Sequence, residues 1–379
     1  MSDYFGLINS LAAFLISAVF AGILIPQILL IAFRKNLFDV PDERKIHFSS
    51  VPRLGGVAFE PVVFFCLFVL LLVNSHIGNG GVQQSFHVNA IKLYSGACSL
   101  ILMYIIGIAD DLIGVKYRAK FVMQILCGVL FVSADIGIFD LHGFLGIHEL
   151  PYVLGVLLSI VLIVFIVNSM NLIDGIDGLA SGLSAVALGY YGVLFLMLNQ
   201  YAYALLAFST LGTVCPFFYY NVFGKAEKQK KIFMGDTGSL TIGIILSFLC
   251  LNMAEETSLS SISEKYNPLV VAFAPLMIPC MDVVRVFFHR IKNRQSPFLP
   301  DKNHIHHKLL RLGFSQRRTM IMIIIGSIVC TALCVFLSMY LNSVVILLLA
   351  VAIFTLVNIR WTNKISKQEN CPIIEKSNS

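Results

Sequence analysis

Apolar runs dominate the chain, and eleven windows are long enough to be read as membrane-crossing helices. They lie near residues 5 to 33, 54 to 74, 90 to 109, 119 to 137, 152 to 168, 179 to 198, 201 to 220, 239 to 254, 268 to 289, 319 to 341 and 343 to 361. A crossing helix needs about 20 residues to cover the hydrocarbon core, so windows of this length set the count. Two pairs of windows are barely separated, one by Asn199 and Gln200 and the other by Asn342. Each pair is a tight hairpin or one element counted twice. The pattern predicts an all-α integral membrane protein, a polytopic bundle of about eleven transmembrane helices with ten as the alternative. Residues 1–361 are read as one transmembrane domain and 362–379 as a short polar tail. The first window follows Ser2, Asp3 and Tyr4 without a basic segment and is too long for a signal peptide, so it is expected to stay as the first helix.

Charge placement gives the expected orientation. Of the 27 Lys and Arg residues, all but Lys92 and Lys265 fall in the connections after the odd-numbered windows or in the tail. Short cytoplasmic loops accumulate basic residues. This puts the amino terminus outside, and the carboxyl terminus and the odd-to-even connections in the cytoplasm.

Composition agrees with a membrane class: the 379 residues are 58% hydrophobic and 13% charged, with a mean hydropathy of +0.84, against roughly 25% charged in soluble domains. The net charge of +6 does not point to nucleic acid, because the basic residues report topology and are not interleaved with aromatics on a soluble domain. Eight of the nine cysteines lie in apolar stretches, the ninth is Cys371 in the tail, and no C-x-x-C pair exists. Zinc and disulfide frameworks are therefore disfavoured.

Five polar clusters stand out: Asp39 to Gly56, Asp110-Asp111 with Lys120, Asn168 to Gly178, Phe233 to Ser239, and Pro300 to Gly313. All five occupy the connections assigned to the cytoplasm, so segments distant in sequence converge on one face, as an active site requires. Asp110 and Asp111 point about 100° apart on a helix, so different roles are expected; the bland alternative is a pair of solvated carboxylates ending a span. Lys120 is a natural partner for phosphate. Asn168, Asn171, Asp174 and Asp177 recur every third residue, with Gly175 and Gly178 marking a break. One of them is expected to cap the next helix, leaving three to line a mouth. Oxygen donors of this kind suit a hard cation such as Mg²⁺.

FMGDTGSLTIG opens a helix whose first amides are available to an anion or to Asp236 itself, which makes an N-cap a rival role for Asp236. Phe233 is a core residue or a surface on which a base stacks. His304, His306 and His307 lie in a basic loop without Cys or HExxH, so hydrogen bonding to phosphate or sugar fits better than zinc. Asp282 and Arg285 are read as a structural ion pair. A transporter would place acids near the midplane of inverted repeats; here they sit at helix ends and no repeat is found.

In order along the chain, DVPDERKIHFSSVPRLGG, GIADDLIGVKYRAKFVMQ, NSMNLIDGIDGLASG, KIFMGDTGSLTIG and PDKNHIHHKLLRLGFS resemble the motifs of the polyprenyl-phosphate N-acetylhexosamine-1-phosphate transferase superfamily. RKxH at Arg44 to His47 and HIHH at His304 to His307 are similar to the N-acetylglucosamine-1-phosphate branch; the phospho-muramyl-pentapeptide branch is the alternative. The resemblance implies that Asn171 and Asp236 bind Mg²⁺, with Mn²⁺ as a substitute, and that Asp110 and Asp111 serve the lipid phosphate and catalysis. It implies that Lys120 meets phosphate, that Phe233, Asp174 and Asp177 lie at a uridine pocket, and that the HIHH loop contacts the sugar phosphate. Arg53 and Asn168 join the substrate-binding set, as does Asn221, although GKAEKQKK lengthens the connection from Asn221 to Phe233. The implied partners are a polyprenyl (undecaprenyl) phosphate, a UDP-N-acetylhexosamine and the bilayer, with a homo-oligomer left open.

Overall fold

The computed structural model describes residues 2–37, 51–77, 80–256, 266–296 and 303–369. Helix α1 (Ser2–Arg34) is followed by a 3-10 turn, Gly55–Ala58, that leads into α2 (Phe59–Ile77). After the short α3 (Gly80–Val88) come α4 (Ala90–Ile113) and α5 (Tyr117–Ser133), then a hairpin of β1 (Asp140–Phe144) and β2 (Ile147–Glu149). The bundle continues with α6 (Tyr152–Ile173), α7 (Leu179–Met197), α8 (Tyr201–Phe223) and α9 (Gly235–Ala254). It ends with α10 (Pro268–Phe273), α11 (Met277–Lys292), α12 (Ile305–Arg311), α13 (Gln316–Ser338) and α14 (Ser343–Glu369). The sequence pattern had given no strands; β1 and β2 pair antiparallel, with Asp140 opposite Glu149.

Ten helical stretches among the described residues are long and apolar enough to cross a membrane, so the protein is multi-pass. The window near 119 to 137 is the exception, because α5 has only 17 residues. Chain direction nevertheless makes α5 cross. Its first turn places Lys120 beside Asp110 at the end of α4, and the end of α6 returns to the same place, with Asn171 bonded to Asp236. A 17-residue helix rises about 25 Å, so α5 is a short crossing added to ten full ones. Both closely spaced pairs of windows are hairpins. The α7–α8 turn passes through Asn199 at φ 58, and in the α13–α14 turn Asn342 Oδ1 accepts from Val344 N at 2.8 Å.

α9 is the axis of the bundle: its crossing segment is entirely buried, packed chiefly against α4 and α6. Lipid tails supply no hydrophobic drive between helices, so close approach through small residues holds such a core. A Cβ on Gly56 would sit 2.0 Å from Gly238 N, and one on Gly107 would sit 2.5 Å from Thr237 Cα. These two glycines let the entry to α2 and the end of α4 touch the α9 backbone. α14 stays helical to Glu369, beyond the expected boundary at 361, because Ile365 remains buried and Thr362 accepts from Lys308 Nζ at 3.0 Å. Residues 370–379 lie outside the described residues.

Candidate active site

The start of α9 organises the site. Phe233 N donates to Pro52 O at 2.9 Å, Gly55 N to Phe233 O at 3.0 Å and Gly56 N to Met234 O at 2.9 Å, so two distant segments pair in a short ladder. Gly235 follows with φ +72, where a Cβ would meet Arg53 O at 2.2 Å. The first amides of any helix lack internal partners. Here they are satisfied from another helix: Asp111 accepts from Asp236 N at 2.8 Å, from Thr237 N at 2.9 Å and from Thr237 Oγ1 at 2.5 Å. The N-cap role considered for Asp236 thus belongs to Asp111, and a carboxylate at a helix amino end also complements the helix dipole.

Its neighbour Asp110 faces elsewhere. Asp110 Oδ1 accepts from Val115 N at 2.5 Å, and Oδ2 accepts from Lys120 Nζ at 2.8 Å. Lys120 Nζ is also 3.5 Å from Asp236 Oδ1, so one ammonium bridges α4 and α9. On the other side, Asn171 Nδ2 donates to Asp236 Oδ1 at 2.5 Å and to Ser239 Oγ at 2.8 Å. The two ends of an amide are interchangeable by rotation, and a hydroxyl can donate or accept. Asn171 can therefore offer its oxygen beside Asp236. Among the described residues no group of three His, Cys, Asp or Glu could hold a metal alone. Two oxygen donors opening onto a cavity fit a hard cation completed by water and substrate oxygens, the usual mode for Mg²⁺, rather than an all-protein cage.

That cavity, of about 370 Å³, is a slot between two backbone segments. One wall is the 174–178 turn, where α6 ends and Gly178 at φ +77 starts α7 without a side-chain cap. The other is Phe233 and Met234 with the first residues of α9, Gly235 and Asp236, and Arg53 also lines the cavity. Asn221 stitches the floor: its Oδ1 accepts from Gly178 N at 2.6 Å and its Nδ2 donates to Ile232 O at 2.8 Å. Asn221 therefore lines the pocket while being tied to backbone on both sides, and the amide of Gly178 uses it in place of an Asn or Asp cap from its own turn. Burial pushes the Asp174 carboxyl up to about 7, helped by the charges of Asp236, Asp177 and Asp111 and opposed by Arg53. Asp177 closes the outer end through an ion pair, its Oδ2 2.5 Å from Lys231 Nζ.

Some predicted residues lie outside this cavity. Asn168 is one helical turn deeper, donating to Gln124 Oε1 at 2.6 Å and to Val164 O at 2.7 Å; it does not line the slot. The cause is depth: on a continuous helix three residues rise about 4.5 Å, so Asn168 sits below Asn171 although the two point only about 60° apart. The histidines back the 174–178 turn. His304 Nδ1 is 2.9 Å from Asp282 Oδ2, Asp282 accepts from Arg285 Nη2 at 2.7 Å, and Ile305 N donates to the same carboxylate at 3.1 Å. The ion pair of Asp282 and Arg285 thus anchors the histidine loop. His306, 1% exposed, presses on Gly175, and the His306 and His307 rings lie 4.2 Å apart. Burial and the neighbouring His307 and His304 hold the His306 imidazole down to about 3, so it is neutral near pH 7. Arg44 to His47, Asp301 and Lys302 lie outside the described residues. Sequence reading missed Gln124 and Lys231. Gln124 carried a weak signal as a polar residue in an apolar window, whereas Lys231 was one of four lysines in a row of loop charges.

The fold is that of a polytopic membrane protein with a carboxylate-lined cavity where the end of α4, the end of α6 and the start of α9 meet. The profile described as Glycosyl transferase family 4 matches residues 93–254. A probable undecaprenyl-phosphate N-acetylglucosaminyl 1-phosphate transferase of Bacillus subtilis (strain 168) is 30% identical over 320 residues, covering 84% of this chain and 82% of that protein. An undecaprenyl-phosphate alpha-N-acetylglucosaminyl 1-phosphate transferase of Yersinia pestis is 29% identical over 301 residues, 78% of this chain and 76% of that protein. Its Escherichia coli (strain K12) counterpart is 27% identical over 303 residues, with 78% and 75% covered. The chain belongs to glycosyl transferase family 4, in the branch of those relatives.

Proposed function

We propose that the protein transfers N-acetylglucosamine 1-phosphate from UDP-N-acetylglucosamine to undecaprenyl phosphate, releasing UMP and forming the lipid-linked pyrophosphate sugar that initiates a cell-envelope glycan. The activities for which the relatives are named support the reaction class. The observation that carries it in this chain is Lys120, held between Asp110 and Asp236 where the nucleotide slot meets the ends of α4 and α9. Two anions must meet there, and an ammonium fixed between two carboxylates is placed to receive them.

In the reaction an oxygen of the lipid phosphate attacks the sugar-bearing phosphorus in line, and the bond to the bridging oxygen breaks, so UMP leaves with that oxygen. The second pKa of a phosphate monoester is about 6; the nucleophile is already ionised near pH 7 and needs orientation more than a base. Asp110 orients Lys120 toward it. Asp236 and Asn171 would hold Mg²⁺, which when bound neutralises the diphosphate. Phe233 and the 174–178 turn would flank the uridine, and the polyprenyl tail would enter between helices from the bilayer. In this reading the site and carboxyl terminus are cytoplasmic and the amino terminus is outside, as the basic residues dictate.

The test is to give the purified protein undecaprenyl phosphate, Mg²⁺ and a panel of UDP-N-acetylhexosamines. UMP and a lipid product are expected with UDP-N-acetylglucosamine and should disappear with EDTA. Absence of lipid product with every donor would overturn the proposal.

A further inference from the structure

The slot is closed in three places, and one closure differs in kind. Asn221 joins the walls by bonding backbone on both sides, and Asn171 joins them through Asp236 at the inner end. Both side chains project from helices. The outer end is closed by Lys231 and Asp177, two side chains on non-helical segments, whose side chains remain 23% and 20% exposed. The ammonium of Lys231 also stands 5.7 Å from the centre of the Phe233 ring, so one cation addresses the aromatic wall and the acidic wall together.

The charges in the slot make this pair consequential. Asp174, Asp177 and Asp236 all line it, with Arg53 as the basic residue among the lining groups. A nucleoside diphosphate adds further negative charge to the same space. Lys231 pairs with one carboxylate oxygen of Asp177 and offsets its charge. Lys231 is not among the residues that line the slot, so it acts on a nucleotide there through Asp177.

We infer that Lys231 is a positioning residue for the nucleotide half of the substrate, clamping Asp177 at the outer end of the slot and screening its charge from the incoming diphosphate. This rests on the nucleotide-sugar reading above. Loss of the ammonium leaves Asp177 as an uncompensated charge facing an anion, so the penalty falls on nucleotide affinity and is relieved when Asp177 is also neutralised.

The experiment measures UDP binding calorimetrically in the full-length protein, together with KM and kcat for UDP-N-acetylglucosamine. Lys231→Met should weaken UDP at least tenfold and raise KM by a larger factor than it lowers kcat. Lys231→Arg should stay within about threefold of wild type, and Asp177→Asn with Lys231→Met should recover at least a third of the lost affinity. Equal UDP affinity in wild type and Lys231→Met, or a double variant as weak as the single one, would overturn the inference while leaving the transfer reaction standing. Should Lys231→Met fail to fold, Lys231→Gln takes its place against the same thresholds. UDP binding with the expected Lys231 dependence but without turnover would instead overturn the transfer reaction and leave Lys231 assigned; wild type that binds no UDP would overturn both.

Discussion

The two ends of α9 solve the same problem with opposite consequences. Each end of a helix leaves backbone groups without internal partners, and in α9 both ends borrow a partner from another element. At the start, Asp111 of α4 accepts from Asp236 N and Thr237 N. At the finish, His142 of the β-hairpin bonds Ala254 O at 3.1 Å, and Asn267 Nδ2 fixes His142 by donating to its carbonyl at 3.0 Å. The finish is a joint closed by these two bonds. At the start, the cap leaves the Asp236 side chain free to turn toward Asn171, Lys120 and the slot. A borrowed cap thus costs the far end nothing and gives the near end its chemistry, because the helix's own first carboxylate is released from capping duty.

The largest effect should come from the near end. Asp236→Asn should lower Mg²⁺-dependent turnover by about a thousandfold, in the range seen when a preorganised electrostatic group is removed, while the protein still inserts and elutes as wild type on size exclusion. Near-normal turnover at saturating Mg²⁺ would remove Asp236 from the cation site.

The adjacent aspartates sharpen the comparison. Asp111→Ala strips the cap from α9 and should cost about 1–2 kcal/mol of stability, as other cap deletions do, with a parallel loss of turnover because Asp236 loses its place. Asp110→Ala removes an acceptor from Val115 N and Lys120 Nζ but leaves Lys120 its contact with Asp236; it should cost less stability than Asp111→Ala yet lower turnover by about a hundredfold through lost positioning. Equal stability losses in the two variants would erase the division of labour between them.

The smallest effect belongs to the far end. His142→Ala deletes one imidazole-to-carbonyl hydrogen bond and should cost about 1 kcal/mol, seen as a lower unfolding temperature with unchanged kcat and KM. A fall in kcat instead would mean that the two ends of α9 communicate.

Much of this was legible without a structure. Apolar windows located every crossing, including α5, and the polar clusters named most of the slot, because lipid forbids polar side chains except where something pairs with them. Asn168, expected in the substrate set, lies outside the slot, and a three-residue spacing could not show how deep each residue sits. The helix runs to Ile173, before the break expected at Gly175 and Gly178, and Asn168 bonds Gln124 within it. Different roles were expected for Asp110 and Asp111, but adjacency carries no information about which neighbour each will meet, so the capping of α9 by Asp111 was not legible. Lys231 was invisible for a related reason, being one charge in a basic loop until the fold set Asp177 against it.

The sequence by itself determined that the chain is a many-pass helical membrane protein with its chemistry gathered at one end, since hydropathy and charge act residue by residue along the chain. Tertiary structure alone decided which carboxylate caps, which one faces the slot, and which lysine completes each end of it. Those assignments depend on the close approach of separated segments, 125 residues apart for Asp111 with Asp236 and 54 for Asp177 with Lys231, and at the start of α9 Gly56 and Gly107 let backbone meet it.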